Sequence, residues 1–417
     1  MAARKKFWTY ENKLTTMFFF VIGIVFFDRL IINYLMPFIQ EDLNLNNADI
    51  GLLAAAVSLT WALGSIVGGR LSDKVKSKRI YLVVLIVAFS VASFFQGFVG
   101  TFMMLLSLRL LMGAFEGPIV PVTQSVLAME SSERRRGFNL GFTMNTANGL
   151  FGSILAPLVI VAIATAFDWR TAFFFTVLPG LVIALFVFKI MREPKLVSEE
   201  ETAGEAKPKP KGQLLEVLKN RNIILSIVMF SGFMVYLISF QVFGPVYLVG
   251  MKGFSPTTMS YIMAAFGLGT AVWGFVVPLI SDRIGRKPAA IGFGFLSVLA
   301  PLSVLVIDNP VVMAPTIFLL AAGMGAGGLA MSVIPAESVS PLMAGLAVGL
   351  PVGIGEIIGG FLNPMITGAL ADQFGLPIAL IVSSGGALVA TLIALFLKET
   401  APSRVKAAAN KAVVANG

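Results

Sequence analysis

Twelve apolar runs, each long enough to cross a hydrocarbon core about 30 Å thick, follow one another along this chain with polar breaks between them. They begin near Leu14, Ile50, Ile80, Phe102, Gly137, Thr171, Ile223, Pro256, Pro288, Val311, Leu342 and Pro377. Of 417 residues, 57% are hydrophobic and 13% charged, more apolar surface than a soluble core can hide. The pattern predicts an all-α membrane protein with twelve transmembrane helices.

The formal net charge of +9 takes its meaning from where the charges fall. With the N-terminus placed in the cytoplasm, 27 of the 31 Lys and Arg lie in cytoplasmic segments, against Arg170 and Lys252 on the other side. Arg29 and Arg109 lie within apolar runs. The positive-inside rule then predicts both termini in the cytoplasm. A cell membrane, the bacterial inner membrane, is the expected setting. The basic balance is topology and does not predict a nucleic-acid partner. The polar start leads straight into a full-length span, which does not read as a cleavable signal peptide. Cys and His are both absent, so no disulfide, thiol chemistry, metal site or imidazole relay is expected. Buried carboxylates are left as the proton carriers.

Residues 192–220 contain Ser198-Glu199-Glu200-Glu201 and Lys207-Pro208-Lys209-Pro210-Lys211-Gly212, a composition that reads as a flexible linker. It separates two expected six-helix bundles, 1–191 and 221–417. The halves repeat. Gly69-Arg70-Leu71-Ser72-Asp73-Lys74 answers Pro278-Leu279-Ile280-Ser281-Asp282-Arg283 at an offset of 209 residues, and Pro157 answers Pro364 at 207. Internal duplication of this kind predicts a transporter with its site between the halves.

Four charges lie at membrane depth in the first half. Asp28 and Arg29 are adjacent in the first run, and Arg109 and Glu116 are two turns apart on one face of the fourth. At about 1.5 Å per residue, Asp28 lies about 21 Å above the cytoplasmic end and Arg109 about 10 Å below the outer end, so the two are expected to meet. The set is formally neutral. Such charges are costly in lipid, and apolar replacement is often no worse for stability, so their presence points to function. Asp28 and Glu116 are the candidate proton carriers, and Arg29 or Arg109 the anion contact. Asn33, Tyr236, Gln241 and Asn363 are candidate substrate contacts; Glu356, Asn145 and Asn148 are further polar groups at depth. For each asparagine, tyrosine and glutamine alone, a helix-to-helix hydrogen bond is an equal reading. The run Gly323-Met324-Gly325-Ala326-Gly327-Gly328 allows close packing or a gating bend.

The two loop motifs resemble the major facilitator superfamily signature of Gly, three residues, Asp, a base, one residue, Gly and further bases. Lys76 stands where the first copy's second glycine belongs, and Pro278 replaces the second copy's first. This resemblance implies the major facilitator fold, with Asp73, Asp282 and Arg283 in gating positions. Within that superfamily the chain resembles the anion:cation symporters, a group that includes sialic acid, glutamate, hexuronate and galactonate carriers. The resemblance rests on Asp28-Arg29, on Arg109 through Gly113, Glu116, Gly117 and Pro121, on Trp169-Arg170, and on Phe243-Gly244-Pro245-Val246-Tyr247-Leu248. Phe26 and Phe243 depart from the tyrosine and tryptophan common in sugar-acid carriers, which favours a less polar carboxylate.

Proton-coupled uptake of a small organic anion by a monomeric carrier without cofactors is the expectation. Three rivals fit less well. A drug exporter would carry a fuller glycine-rich motif than Gly152 to Pro157, and an organophosphate antiporter would place a cation in helix 7. A transporter-like sensor would be expected to carry an added domain. No catalytic constellation emerges, so an enzyme is not expected.

Overall fold

The computed structural model describes residues 8–193, 213–340, 343–402 and 404–405. Most of the expected linker, 194–212, lies outside the described residues, as does the side chain of Asp73. Among the described residues, twelve helices are long and apolar enough to cross a membrane: α1 Tyr10–Leu43, α2 Asn47–Ser72, α3 Lys78–Phe98, α4 Phe102–Glu130, α5 Glu133–Ala166, α6 Trp169–Ile190, α7 Arg221–Gly250, α8 Pro256–Ile284, α9 Arg286–Val306, α10 Pro310–Glu337, α11 Ala344–Phe374 and α12 Pro377–Ala394. A short helix, Gln213–Lys219, precedes α7, and there is no strand among the described residues. The chain is a multi-pass, all-α membrane protein.

Several helices start a few residues before their apolar runs because polar caps set the boundary. Thr9 accepts from the Asn12 amide at 3.3 Å, and Asn46 forms a reciprocal capping box with Asp49. Asp168 accepts from the Thr171 amide at 2.6 Å.

Two compact units divide the chain. One holds α1–α6 with Ser255–Gly267, the other α7, the rest of α8, and α9–α12. Within the first, α1 packs on α5 and α6, while α3 packs on α4 and α6. Within the second, α7 packs on α11 and α12, while α9 packs on α10 and α12. The same pairing scheme is used twice.

Proline shapes three of the helices. Backbone turns widen to π geometry over Asn148–Leu155 in α5, Leu329–Val333 in α10 and Glu356–Leu362 in α11. Each stretch ends two residues before a proline, Pro157, Pro335 or Pro364. Proline has no amide hydrogen for the carbonyl four residues back, and a wider turn re-pairs the ladder. α10 also breaks at Ala321–Ala322, immediately before its glycine run.

Small residues let backbones meet where lipid offers no hydrophobic drive. A Cβ on Gly117 of α4 would lie 2.8 Å from the Ser65 amide of α2, and Ser65 Oγ donates to the Gly117 carbonyl at 2.8 Å. At Gly152 of α5 a Cβ would lie 2.9 Å from Leu30 of α1, and Tyr34 donates to the Gly152 carbonyl at 3.3 Å. These contacts seat α4 against α2 and α1 against α5, fixing the walls around the charged set.

Candidate functional site

The charged set lies in the first unit. Asp28 and Arg109 are each 2% exposed and Glu116 is fully buried, whereas Arg29 is partly exposed. Ser93 of α3 donates to Asp28 Oδ1 at 2.5 Å; Asp28 Oδ2 has no hydrogen-bond partner. Arg109 donates through Nη2 to the Arg29 carbonyl at 3.2 Å and through Nη1 to the Met112 sulfur at 3.8 Å, while its Nε is unpartnered. Glu116 ends the first segment of α4, where the helix breaks at Gly117–Pro118, and neither of its carboxylate oxygens has a partner. Buried polar atoms are almost always satisfied, so four unmet atoms on three charged side chains mark this place as unusual.

Asp28 and Arg109 were expected to meet. The structure places both in one electrostatic cluster with Arg29 and Glu116, but no direct ion pair joins Arg109 to either carboxylate. Each acid is therefore near a cation without being locked to it.

Arg29 is held from α2. Its Nη2 donates to Ser58 Oγ at 3.4 Å, and its guanidinium carbon lies 4.8 Å from the Trp61 ring centroid. That cation–π contact holds the guanidinium over the ring while Arg29 stays partly exposed. Ser58, Trp61, Ser93 and Thr176 were not singled out by sequence, because nothing in their spacing shows which helix they face.

The remaining candidates fall in different settings. Asn33 is buried in α1, Asn148 is partly buried with Oδ1 unpartnered, and Asn145 is exposed. In the second unit, Tyr236 is fully enclosed with its hydroxyl unpartnered, and Gln241 is buried. Asn363 of α11 is engaged: it donates to Ser239 of α7 at 2.9 Å and accepts from Thr367 at 3.0 Å, the helix-joining alternative. Glu356 is partly exposed at the start of the widened stretch of α11. Phe243 is fully buried, so its replacement of tryptophan bears on packing; Phe26 is only partly buried.

Of the loop residues, Asp282 is exposed and pairs with Arg286 at 2.6 Å. Arg283 is exposed, and its carbonyl accepts from Arg404 at 3.2 Å. Arg286, which the motif alone did not select, is the hub. It forms a two-pronged contact with Glu337 at 2.8 and 3.2 Å and donates to Ser281 at 2.5 Å. Glu399 accepts from the amides of Arg286 and Lys287 at 2.7 and 3.2 Å, closing the N-terminus of α9. In the first unit Glu193 does the same for α3, accepting from the Lys78 amide at 3.0 Å and from Ser77. Glu193 and Glu399 are 206 residues apart, a third echo of the duplication. Trp169 and Arg170 both bond Asp42 at the end of α1, at 3.2 and 2.7 Å, which gives that dipeptide a tethering role.

Twelve membrane-length helices in two similarly paired sets define a class of duplicated helical membrane proteins. The chain belongs to the Major Facilitator Superfamily, whose family model matches residues 18–350 and 253–415. The hexuronate transporter of Bacillus subtilis strain 168 is 31% identical over 283 residues, a match spanning 65% of the length of each chain. The D-galactonate transporter of Escherichia coli O6:H1 is 26% identical over 421 residues, covering 91% of this chain and 94% of that one. Among solved structures, the chain resembles an inward-facing bacterial homolog of the human lysosomal transporter Spinster, with a TM-score of 0.73 at 19% identity over 94% and 95% of the two chains. It also resembles the nucleoside transporter NupG, with a TM-score of 0.73 at 12% identity over 94% and 100%. At such identities the structural likeness shows the fold.

Proposed function

We propose that this protein takes up a small organic anion, a carboxylate, together with protons by alternating access in a bacterial inner membrane. Asp28 and Glu116 carry the protons, and Arg29 and Arg109 hold the anion. The observation that carries this reading is Glu116, fully buried beside Arg109 with neither oxygen hydrogen-bonded. Left ionised there, a carboxylate forgoes every hydrogen bond, a state a proton or an incoming partner relieves. Protonating either acid leaves the set net positive and favours an anion; release of the anion favours proton loss.

Arg29, partly exposed and held against the Trp61 ring, is the cation that receives the substrate carboxylate, and Arg109 is the enclosed one that senses both acids. Asn33, Tyr236 and Gln241 are further proposed contacts, whereas the bonding of Asn363 favours a helix-joining role. Asp73, Asp282 and Arg283 are proposed gating residues, and 192–220 is the proposed linker joining bundles 1–191 and 221–417. On this reading both termini are cytoplasmic, and the carrier works as a monomer without a cofactor or an enzymatic step. The relatives named for hexuronate and D-galactonate support an organic acid; Phe26 favours one less hydroxylated.

Uptake of a labelled hexuronate, D-galactonate and benzoate into proteoliposomes, with and without an inward proton gradient, tests the reading. Gradient-driven accumulation that a protonophore abolishes is the expected result. Accumulation indifferent to the gradient would point to exchange, and proton-driven extrusion to efflux.

A further inference from the structure

The carboxyl group of Asp28 is one end of a chain of buried hydrogen bonds running through three helices. Ser93 Oγ of α3 lies 2.5 Å from Asp28 Oδ1 and 3.0 Å from Thr176 Oγ1 of α6, and Thr176 lies 2.8 Å from the Phe173 carbonyl oxygen. Ser93 is fully buried and Thr176 is 5% exposed. A hydroxyl donates once and accepts twice, so counting hydrogens decides what the chain can do. When Asp28 is ionised, two hydroxyl hydrogens serve three links. Ser93 then donates to the carboxylate, and Thr176 reaches either Ser93 or Phe173. When Asp28 is neutral, three hydrogens serve three links: Asp28 to Ser93, Ser93 to Thr176, Thr176 to Phe173.

We propose that Ser93 and Thr176 are the positioning residues for proton exchange at Asp28, forming a hydroxyl relay that reverses direction when the proton arrives. One O–H bond forms, on the Asp28 carboxyl, with a proton from the aqueous phase; the two hydroxyls rotate and keep their own hydrogens. Asp28 is thereby hydrogen-bonded in both charge states, which removes the penalty of an unmade bond from either side of the exchange. The surroundings supply no substitute. Asp28 and Thr176 line a cavity of about 600 Å³ whose other walls are apolar apart from Lys13 and Thr16, which lie three to four helical turns from Asp28 toward the start of α1. The charges facing Asp28 are Arg109 and Glu116 of α4, with Arg29 next to it in α1; none hydrogen-bonds it. α3, α5 and α6 carry charged residues only near their ends.

The two hydroxyls have opposite duties, which separates a relay from plain packing. Among the described residues Ser93 alone hydrogen-bonds the Asp28 carboxylate, so its loss weakens the ionised state most. Thr176 takes the Ser93 hydrogen only when Asp28 is neutral, so its loss weakens the neutral state. The inference rests on Asp28 changing protonation, and it is tested without transport by infrared titration of the full chain in lipid bilayers. The probe is the carbonyl stretch of the protonated acid, assigned by its disappearance in Asp28→Asn. Ser93→Ala is expected to move the midpoint of this band up by about one pH unit and Thr176→Val to move it down by about as much. Ser93→Thr and Thr176→Ser, which keep the hydroxyls, should titrate with the parent. If Ser93→Ala does not fold, the pair Thr176→Val and Thr176→Ser decides by itself. Coincident midpoints, shifts in one common direction, or no titrating band assignable to Asp28 would overturn the relay. Because no substrate is present, a carrier shown not to couple protons would leave these shifts standing, and coincident midpoints would leave the uptake reading standing.

Discussion

Arg109 reaches from α4 to donate a 3.2 Å hydrogen bond to the backbone carbonyl of Arg29 in α1, so an enclosed guanidinium braces the peptide between Arg29 and Leu30. The contact ties the position of one charge to the backbone that carries two others. Movement of α4 against α1 would therefore alter the surroundings of Asp28, Arg29 and Glu116 together.

Arg109→Ala removes that brace and leaves Asp28 and Glu116 without their enclosed cation. Deleting one partner from a set of buried charges typically costs about 3–5 kcal/mol. Uptake in proteoliposomes should fall to background, and the thermal unfolding midpoint in detergent should drop. Arg109→Lys keeps the charge but lacks the fork that reaches both the carbonyl and Met112, so stability should recover more than uptake does.

Trp61 holds the Arg29 guanidinium by stacking, a contact worth about 0.5–1 kcal/mol at a partly exposed site. Trp61→Leu should therefore raise the half-saturating substrate concentration about two- to fivefold, with maximal uptake rate little changed. A concentration series of initial rates checks this. A fall in maximal rate with unaltered half-saturation would place Trp61 outside anion binding.

In the second unit, Arg286 is nearly enclosed, Glu337 is 21% exposed and Asp282 is 56% exposed. Glu337→Gln should lower stability by about 1–3 kcal/mol, since the two-pronged contact of an enclosed cation is lost. Asp282→Asn should change it by less than about 1 kcal/mol, because an exposed pair is screened by water. Thermal unfolding of the two variants side by side gives the order.

The transmembrane pattern was legible because lipid forces long apolar runs, and the duplication because Asp73 and Asp282, and Pro157 and Pro364, sit at matching offsets. The widened turns before Pro157, Pro335 and Pro364 follow from the missing proline amides. Axial depth placed Asp28 and Arg109 in one charged set, yet depth says nothing of the direction in which a side chain leaves its helix. The direct pair expected from it is replaced by Asp28–Ser93 and Arg109–Arg29 carbonyl contacts. Ser93, Thr176, Arg286 and Glu399 were invisible for the same reason. A serine in an apolar run or a glutamate after one becomes specific only when the fold selects its partner.

The proton-carrying role of Asp28 and Glu116 is tested most directly by comparing substrate counterflow with gradient-driven accumulation in proteoliposomes holding the parent chain, Glu116→Gln or Asp28→Asn. A neutral amide resembles the protonated acid, so both variants should still exchange labelled for unlabelled anion while failing to accumulate it against a gradient. Full proton-driven accumulation by both variants would contradict the account and remove the two carboxylates from the coupling step.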